Sequence, residues 1–401
     1  MTRSNSQRPV ALISSLLHLP SMVGYNRYSV SLARELARQL PTKLCWVPLP
    51  PGVHPDIAAQ LPGTICPPVR RGWLPRSLDW AGIDRRLRPA LWHVLTDLPV
   101  PVFVRGPVVV TCHGLPRWLR HRHMLADHLL PGRFWDYQDV PSSWAARRAM
   151  LGDWAATKLA LHRATAIVAD SEYVRWELVR KFGIREDKIF VVPLAPDPIF
   201  CQPRSGDEIE LVRSRLGLPR RFALSVASFS RTKNTEGLLR LASDLAAQGL
   251  PPLVLIGPAG SLSRYARQAE ADRLVPGQTI YFLQNISDDD LACVYRAADL
   301  FVNLAWEESF GLPIVEAMAS GTPVVGSSLT AVPEIIGSGG VVVDPRDPAA
   351  VTRTVSEILR DEDRRSELRA RALARAADFS WEKTARGVVA VYRKVLPTCV
   401  W

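Results

Sequence analysis

The stretch Glu308-Ser309-Phe310-Gly311-Leu312-Pro313-Ile314-Val315-Glu316 decides the fold. It follows an apolar run, Leu300-Phe301-Val302-Asn303-Leu304, that reads as a buried strand. A helix-compatible run from Pro313 to Ser320 comes next and is stopped by Gly321-Thr322-Pro323. Pro313 suits a first helical turn, where its missing N–H has no partner to lose. The next strand begins at Pro323-Val324-Val325. Strand, acidic loop, helix and strand make one step of a parallel α/β sheet. Glu308 falls in the loop at the strand's carboxyl end, and Glu316 about one turn inside the helix. The amides around Gly311 and Leu312 open a helix and favour a phosphate-bearing ligand. Carboxylates beside an anion site accept hydrogen bonds from hydroxyls, one from a sugar ring and the other from a ribose. The combination points to a nucleotide-sugar.

The same alternation runs through the chain. Strand-like runs occur at 43–47, 91–95, 107–112, 166–169 and 189–192, separated by helix-compatible stretches such as 144–162 and 172–182. A Pro-rich passage (Pro193, Pro196, Pro198, Pro203) intervenes, and strands resume at 222–226, 253–256, 280–283, 301–304, 324–326 and 341–343. With 401 residues the chain is too long for one ordinary core. The expected architecture is α/β: two doubly wound, Rossmann-like parallel-sheet domains facing across a cleft, with ligands outside the strands' carboxyl ends. Val10 to Leu19, after Arg3 and Arg8, has the look of a signal-peptide core. Tyr28, Leu32, Leu36 and Leu40 then form an amphipathic stripe, so the better reading is a first strand, a glycine loop at Gly24 and a first helix.

The acidic stretch resembles the Glu-x7-Glu signature of retaining glycosyltransferases of family 4, which have the two-domain GT-B fold. Asp288-Asp289 with Leu291, Tyr295 with Ala297-Ala298-Asp299, and Glu316 through Val325 follow the family pattern. So do Pro333-Glu334-Ile335-Ile336-Gly337, Asp344-Pro345 and Phe379-Ser380-Trp381. The resemblance is specific over residues 220–395 and looser before 200; Ser309 departs from it, standing where the family usually has Gly. It implies an acceptor-side domain over 1–202, a nucleotide-sugar-binding domain over 203–378, and a C-terminal helix over 379–401 returning to the first domain. It also implies a retaining hexosyltransferase that needs no metal or other cofactor. The donor would be GDP-mannose or a UDP-sugar, and the acceptor a lipid-linked or other glycan in cell-surface polysaccharide assembly. A nucleotide-sugar 2-epimerase of the same fold, a transferase with a soluble acceptor, and a silent binding protein stay open as alternatives.

Such a transfer develops negative charge on the departing diphosphate, which preplaced cations or amides stabilise. Arg231-Thr232-Lys233-Asn234 follows the strand-like run 222–226 and resembles the family's basic loop, with Lys233 at the position that meets the diphosphate and Arg231 as a second cation. His113-Gly114 ends another strand and resembles the step whose histidine approaches the donor sugar. Gly24 matches a loop where the family usually has two glycines. The expected donor site is therefore Gly24, Arg231, Lys233, Glu308, Phe310, Gly311, Leu312 and Glu316, with His113, Lys233 and Glu308 in catalytic roles.

Asp288-Asp289-Asp290 and Asp361-Glu362-Asp363 both contain Asp-x-Asp, a metal-diphosphate pattern elsewhere. The first sits at an expected helix cap and the second among arginines, so capping and surface pairing explain them. His121-Arg122-His123 lacks a convergent partner for a metal. The six cysteines are scattered, with no Cys-x-x-Cys, and read as free thiols of a reducing cytosol. No apolar run approaches the ~18 residues of a spanning helix. Residues 1–200 hold 26 Lys+Arg against 15 Asp+Glu, while the second half is balanced, so the whole net charge of +11 lies in the first half. No nucleic-acid-binding motif accompanies it. Two stretches there, 69–80 and 116–125, mix arginines with tryptophans; Arg117, Trp118, Arg120 and Arg122 suit an anionic membrane surface. The expectation is a cytoplasmic protein, peripheral on the inner face of the cytoplasmic membrane.

Overall fold

The computed structural model describes residues 8–14, 17–18, 24–70, 73–96, 100–101, 103–114, 157–227, 231–257 and 274–397. The chain divides into two compact units, one of residues 1–193 with 381–401 and one of residues 194–380. The first division falls at Pro193–Leu194, earlier than the boundary at 202 read from the sequence. Phe200 explains the difference: it is fully buried, meets Tyr295 edge-on at 5.6 Å, and its carbonyl accepts from Arg296 Nη2 at 3.1 Å. Those anchors belong to the second unit. The second division separates Phe379, packed on Phe310 in the second unit, from Trp381, which opens the helix Trp381–Val395 of the first.

Among the described residues the first unit holds a seven-stranded sheet. Its strands are β1 (Val10–Ile13), β2 (Leu44–Trp46), β3 (Thr64–Ile65), β4 (Leu91–Val94), β5 (Val108–Cys112), β6 (Ala166–Ala169) and β7 (Ile189–Val191), in the order β3-β2-β1-β4-β5-β6-β7. Each neighbouring pair is parallel. Strands β1, β4, β5 and β6 are buried at every position, as expected of strands covered on both faces. The helix Glu172–Phe182 shows how local chemistry sets the ends: Ser171 Oγ accepts from Val174 N at 3.2 Å, and Gly183 closes it at φ 67°.

Burying whole strands also buries polar side chains that must find partners inside. His93 on β4 is fully buried; its Nδ1 lies 2.6 Å from Tyr392 Oη and its Nε2 2.8 Å from Thr111 Oγ1. Thr111 in turn lies 2.8 Å from Tyr28 Oη. Four side chains from β4, β5, the helix Gly24–Gln39 and the helix Trp381–Val395 thus form one buried hydrogen-bonded chain. It ties the C-terminal helix to the first unit's sheet.

The second unit holds β8 (Ala223–Val226), β9 (Leu253–Gly257), β10 (Ile280–Gln284), β11 (Leu300–Asn303), β12 (Val324–Ser327) and β13 (Val341–Val343). Their order is β10-β9-β8-β11-β12-β13, again all parallel. In both sheets the order reverses between two central strands, β1 and β4 in one and β8 and β11 in the other. Successive crossovers part there, leaving a crevice at the carboxyl ends.

Burial, with the charge of His113 nearby, lowers the His93 imidazole from 6.5 to about 3. The folded chain therefore refuses a proton that the unfolded chain accepts. The associated stability is whole above pH 6.5 and drains as pH falls toward 3, at up to about 1.4 kcal/mol per pH unit. The urea midpoint of the wild type should fall more steeply over this window than that of His93→Gln. Equal slopes would remove His93 from the account.

Candidate active site

The site is built at the reversal point of the second sheet. Beyond β8, a single turn of 3-10 helix, Arg231–Lys233, leads to the helix Thr235–Ala247. Asn234 makes the junction in the left-handed region (φ 53°), its Oδ1 accepting from Gly237 N at 3.1 Å. The loop after the neighbouring β11 carries Glu307 and Glu308. Trp306 N donates to Thr232 O at 2.8 Å, so main-chain bonding joins the two loops.

This framework brings Lys233 Nζ to 2.6 Å from Glu308 Oε1, with the two side chains 22% and 10% exposed. Partial burial makes such a pair stronger than a solvated surface pair, since less screening intervenes. An ammonium carries three N–H donors, so Lys233 can hold Glu308 and an incoming anion together. An anion that draws Lys233 away also releases a carboxylate able to accept from hydroxyls.

Thr330 fixes the backbone of Glu308. Its Oγ1 accepts from Glu308 N at 3.0 Å, and the next residue's N–H (Ala331) donates to Glu308 O at 3.3 Å. Thr330 stands at φ 58°, a costly conformation for a β-branched residue and one that surrounding structure must impose. Nothing in the sequence marks it.

Gly311 leads into the helix Leu312–Ala319 at φ 93°, ψ 62°, with Pro313 in the first turn and no side-chain cap. The amides at this helix start are therefore not claimed by a capping side chain. Ser309 is not among the residues with positive φ, so its Cβ meets no backbone penalty there. Glu316 is 3% exposed and accepts a hydrogen bond on Oε2 from Tyr295 at 3.2 Å. Phe310 is 1% exposed and packs edge-to-face on Phe379 at 5.7 Å, with Arg375 lying 4.8 Å over that ring. Its ring is core, worth about 1.5–3 kcal/mol of burial. What it can offer a ligand is main chain.

In the first unit Gly24 stands at the start of the described part of the helix Gly24–Gln39. His113 follows β5, and its Nε2 lies 3.0 Å from Leu95 O, at the end of β4. Its Nδ1 lies 3.6 Å from Asp170 Oδ2, at the end of β6, and its ring meets Tyr28 edge-on at 4.4 Å. Because β5 and β6 run in register with Cys112 opposite Ala169, His113 and Asp170 are the next pair along. His113 is thereby pinned between the ends of both neighbouring strands. Asp170 and Tyr28 were invisible in the sequence because only strand pairing brings them there.

The Asp-x-Asp patterns are taken up by capping and ion pairs, with a cap at Asp361 added to the surface pairing expected there. Ser287 caps the helix Asp288–Ala297, Asp289 pairs with Arg204 at 2.7 Å, and Asp290 pairs with Arg215. Asp361 caps the helix Glu362–Ala376, and Glu362 pairs with Arg365. Among the described residues no group of ligating side chains converges on a metal position. Arg117, Trp118, Arg120 and Arg122 lie outside the described residues. In the other mixed stretch, Trp80 is 2% exposed in the core, and Arg70 forms a two-pronged pair with Asp79, Nη2 to Oδ1 at 2.8 Å. Trp80 therefore has no part in a surface patch.

Two family models match the chain: Glycosyltransferase Family 4 over residues 23–198 and Glycosyl transferases group 1 over residues 208–375. A D-inositol 3-phosphate glycosyltransferase of Nocardia farcinica is 31% identical over 371 residues, covering 90% of this chain and 72% of that protein. The chain belongs to glycosyltransferase family 4. A serotype-specific mannosyltransferase WbdA of Escherichia coli is 35% identical over 240 residues, 58% of this chain and 29% of that protein. The chain thus spans well under two thirds of the length of that relative. Among solved structures, Anabaena HepE in complex with UDP and glucose shares the fold at TM-score 0.71, with 17% identity over 96% of this chain and 99% of that one. The fold of this family 4 member is GT-B.

Gly311 provides a direct test of the helix start. A Cβ there would sit 2.8 Å from Ile314 Cδ1 at a φ that side chains rarely adopt. Gly311→Ala should cost about 1–3 kcal/mol and displace the Leu312 amide. A melting temperature within a degree of wild type would show that the left-handed entry is dispensable.

Proposed function

We propose that this chain is a retaining hexosyltransferase that takes the hexose of a nucleotide-sugar and passes it to a lipid-linked or other glycan acceptor in cell-surface polysaccharide assembly. The observation that carries this reading is the Lys233–Glu308 pair, 2.6 Å apart at the carboxyl ends of two adjacent strands. Lys233 meets the diphosphate and stabilises the charge that develops as it leaves. Arg231 adds a second cation, and the amides around Phe310, Gly311 and Leu312 add donors to the same anion. Glu308, released from Lys233, accepts from hydroxyls of the sugar, while Glu316 accepts from the ribose. His113 serves the donor sugar and Gly24 the diphosphate. These residues supply the positive charge without a metal. Retention follows if the acceptor attacks from the face the phosphate leaves, with that phosphate taking the acceptor's proton.

GDP-mannose is the preferred donor, because the 35% identical WbdA is named a mannosyltransferase. The UDP-bound HepE shares only 17% of its residues with this chain and supports a fold, so UDP-sugars rank second.

Lys233→Ala should lower turnover by about a hundredfold, in an assay whose wild-type activity persists in EDTA. Glu316→Ala should weaken binding of the nucleoside diphosphate alone, whereas Glu308→Ala should spare it and impair turnover. Near-normal turnover in Lys233→Ala, or full loss in EDTA restored by manganese, would overturn these roles. Net glycosylation of an added acceptor separates transfer from epimerisation of the free nucleotide-sugar.

The acceptor reading rests on composition. The excess of cations in the first half, and Arg117, Trp118, Arg120 and Arg122 within it, suit anionic headgroups at the inner face of the cytoplasmic membrane. No helix among the described residues is long and apolar enough to cross a membrane. Anionic liposomes should sediment the protein at low salt and release it as salt rises. Reversing the charges of Arg117, Arg120 and Arg122 together should weaken sedimentation and leave donor hydrolysis unchanged. Absence of sedimentation at low salt would favour a soluble acceptor.

A further inference from the structure

Two cysteines that the sequence scatters meet at the edge of the first sheet. Cys45 is the middle residue of β2, and Cys66 directly follows β3. The strands pair in parallel with Cys45 opposite Thr64, and Cys66 N donates to Trp46 O at 2.8 Å, extending the pairing by one step. Alternation then sets Cys45, Thr64 and Cys66 on one face. Their sulfurs lie 3.1 Å apart, and both thiols are free.

The two differ in access and acidity. Cys45 is 4% exposed, whereas Cys66 is partly exposed beside the exposed residues of β3. The S–H of Cys45 donating to the Cys66 sulfur, helped by the charge of Arg86 and opposed by burial, lowers the Cys66 thiol to about 7. The same hydrogen bond and burial push Cys45 up. At neutral pH this arrangement offers a reachable nucleophilic sulfur backed by a buried thiol that keeps its proton.

We propose that Cys45 and Cys66 form a reversible dithiol–disulfide site that reacts with low-molecular-weight disulfides. The Cys66 thiolate attacks one sulfur of the small disulfide, forming a mixed disulfide and expelling one small thiolate. Cys45 gives its proton to that thiolate and attacks Cys66 Sγ, expelling the second. The protein dithiol is oxidised by two electrons, and the small disulfide is reduced to one thiol and one thiolate, the latter taking from solvent the proton that Cys66 had released. The new bond closes residues 46–65 into a loop. Within it, His54 N donates to Leu17 O at 2.8 Å, and Leu17 lies between β1 and the 24–39 helix. Oxidation therefore restrains the segment that carries His54 and its main-chain bond to Leu17.

The test equilibrates the full chain with glutathione buffers of rising oxidised fraction, followed by intact mass and peptide mapping. A Cys45–Cys66 crosslink should form with loss of two hydrogens, reverse with excess reduced glutathione, and raise the melting temperature by several degrees. Cys45→Ser should stop at glutathione attached to Cys66, and Cys66→Ser should show neither crosslink nor temperature shift. The proposal fails if Cys66 stays unmodified across the series. It fails equally if the wild type retains the mixed disulfide, or if Cys66 crosslinks to a cysteine other than Cys45.

Discussion

The ion pair of Lys233 with Glu308 exists only because β8 and β11 are neighbours in a parallel sheet. Parallel pairing sends every carboxyl end to the same edge, and the reversal of strand order parts the crossovers there. Both charged loops emerge at that point. The main-chain bond from Trp306 to Thr232 and the clamp of Thr330 on Glu308 then hold the carboxylate in place. Freezing two charged side chains in a partly buried position costs conformational entropy and hydration. The pairing offsets that cost while no ligand is bound, and an anion that takes over Lys233 exchanges one satisfied arrangement for another. The strained φ of Thr330 fits this view, since strain is kept where the framework needs one geometry.

The first unit solves a different problem. Its sheet is buried through its centre, so polar groups carried by the strands must be paired internally. The chain from Tyr28 through Thr111 and His93 to Tyr392 does this with neutral groups, and burial holds both phenols well above their ordinary range. Neutrality is what makes the arrangement tolerable in a low-dielectric interior. It also binds a helix that comes from the far end of the chain. Beside it, His113 is fixed by the ends of β4 and β6, through Leu95 O and Asp170.

Much of this was legible in order along the chain. Apolar runs such as Ala166–Ala169 and Val341–Val343 coincide with strands, and the cap at Ser287 was readable because capping is decided within four residues. The acidic stretch and its flanks carried the family. Tryptophans were harder to place. Trp80 sits among arginines in sequence yet fills the core, because one face of its helix is turned inward. The boundary near residue 200 was misplaced for a related reason: prolines mark where a chain can turn, and only the packing of Phe200 on Tyr295 shows which unit claims the segment.

Sequence alone determined the strand–helix alternation, the parallel sheets, the family and the residue types gathered around the acidic loop, because periodicity, capping and loop chemistry are local. Tertiary structure alone decided that Lys233 rests on Glu308, that Asp170 and Tyr28 flank His113, that Phe310 turns inward, and that Cys45 meets Cys66. Those partners stand 75, 57, 85, 69 and 21 residues apart in the chain. Their meeting is set by which strands pair, in what register and on which face.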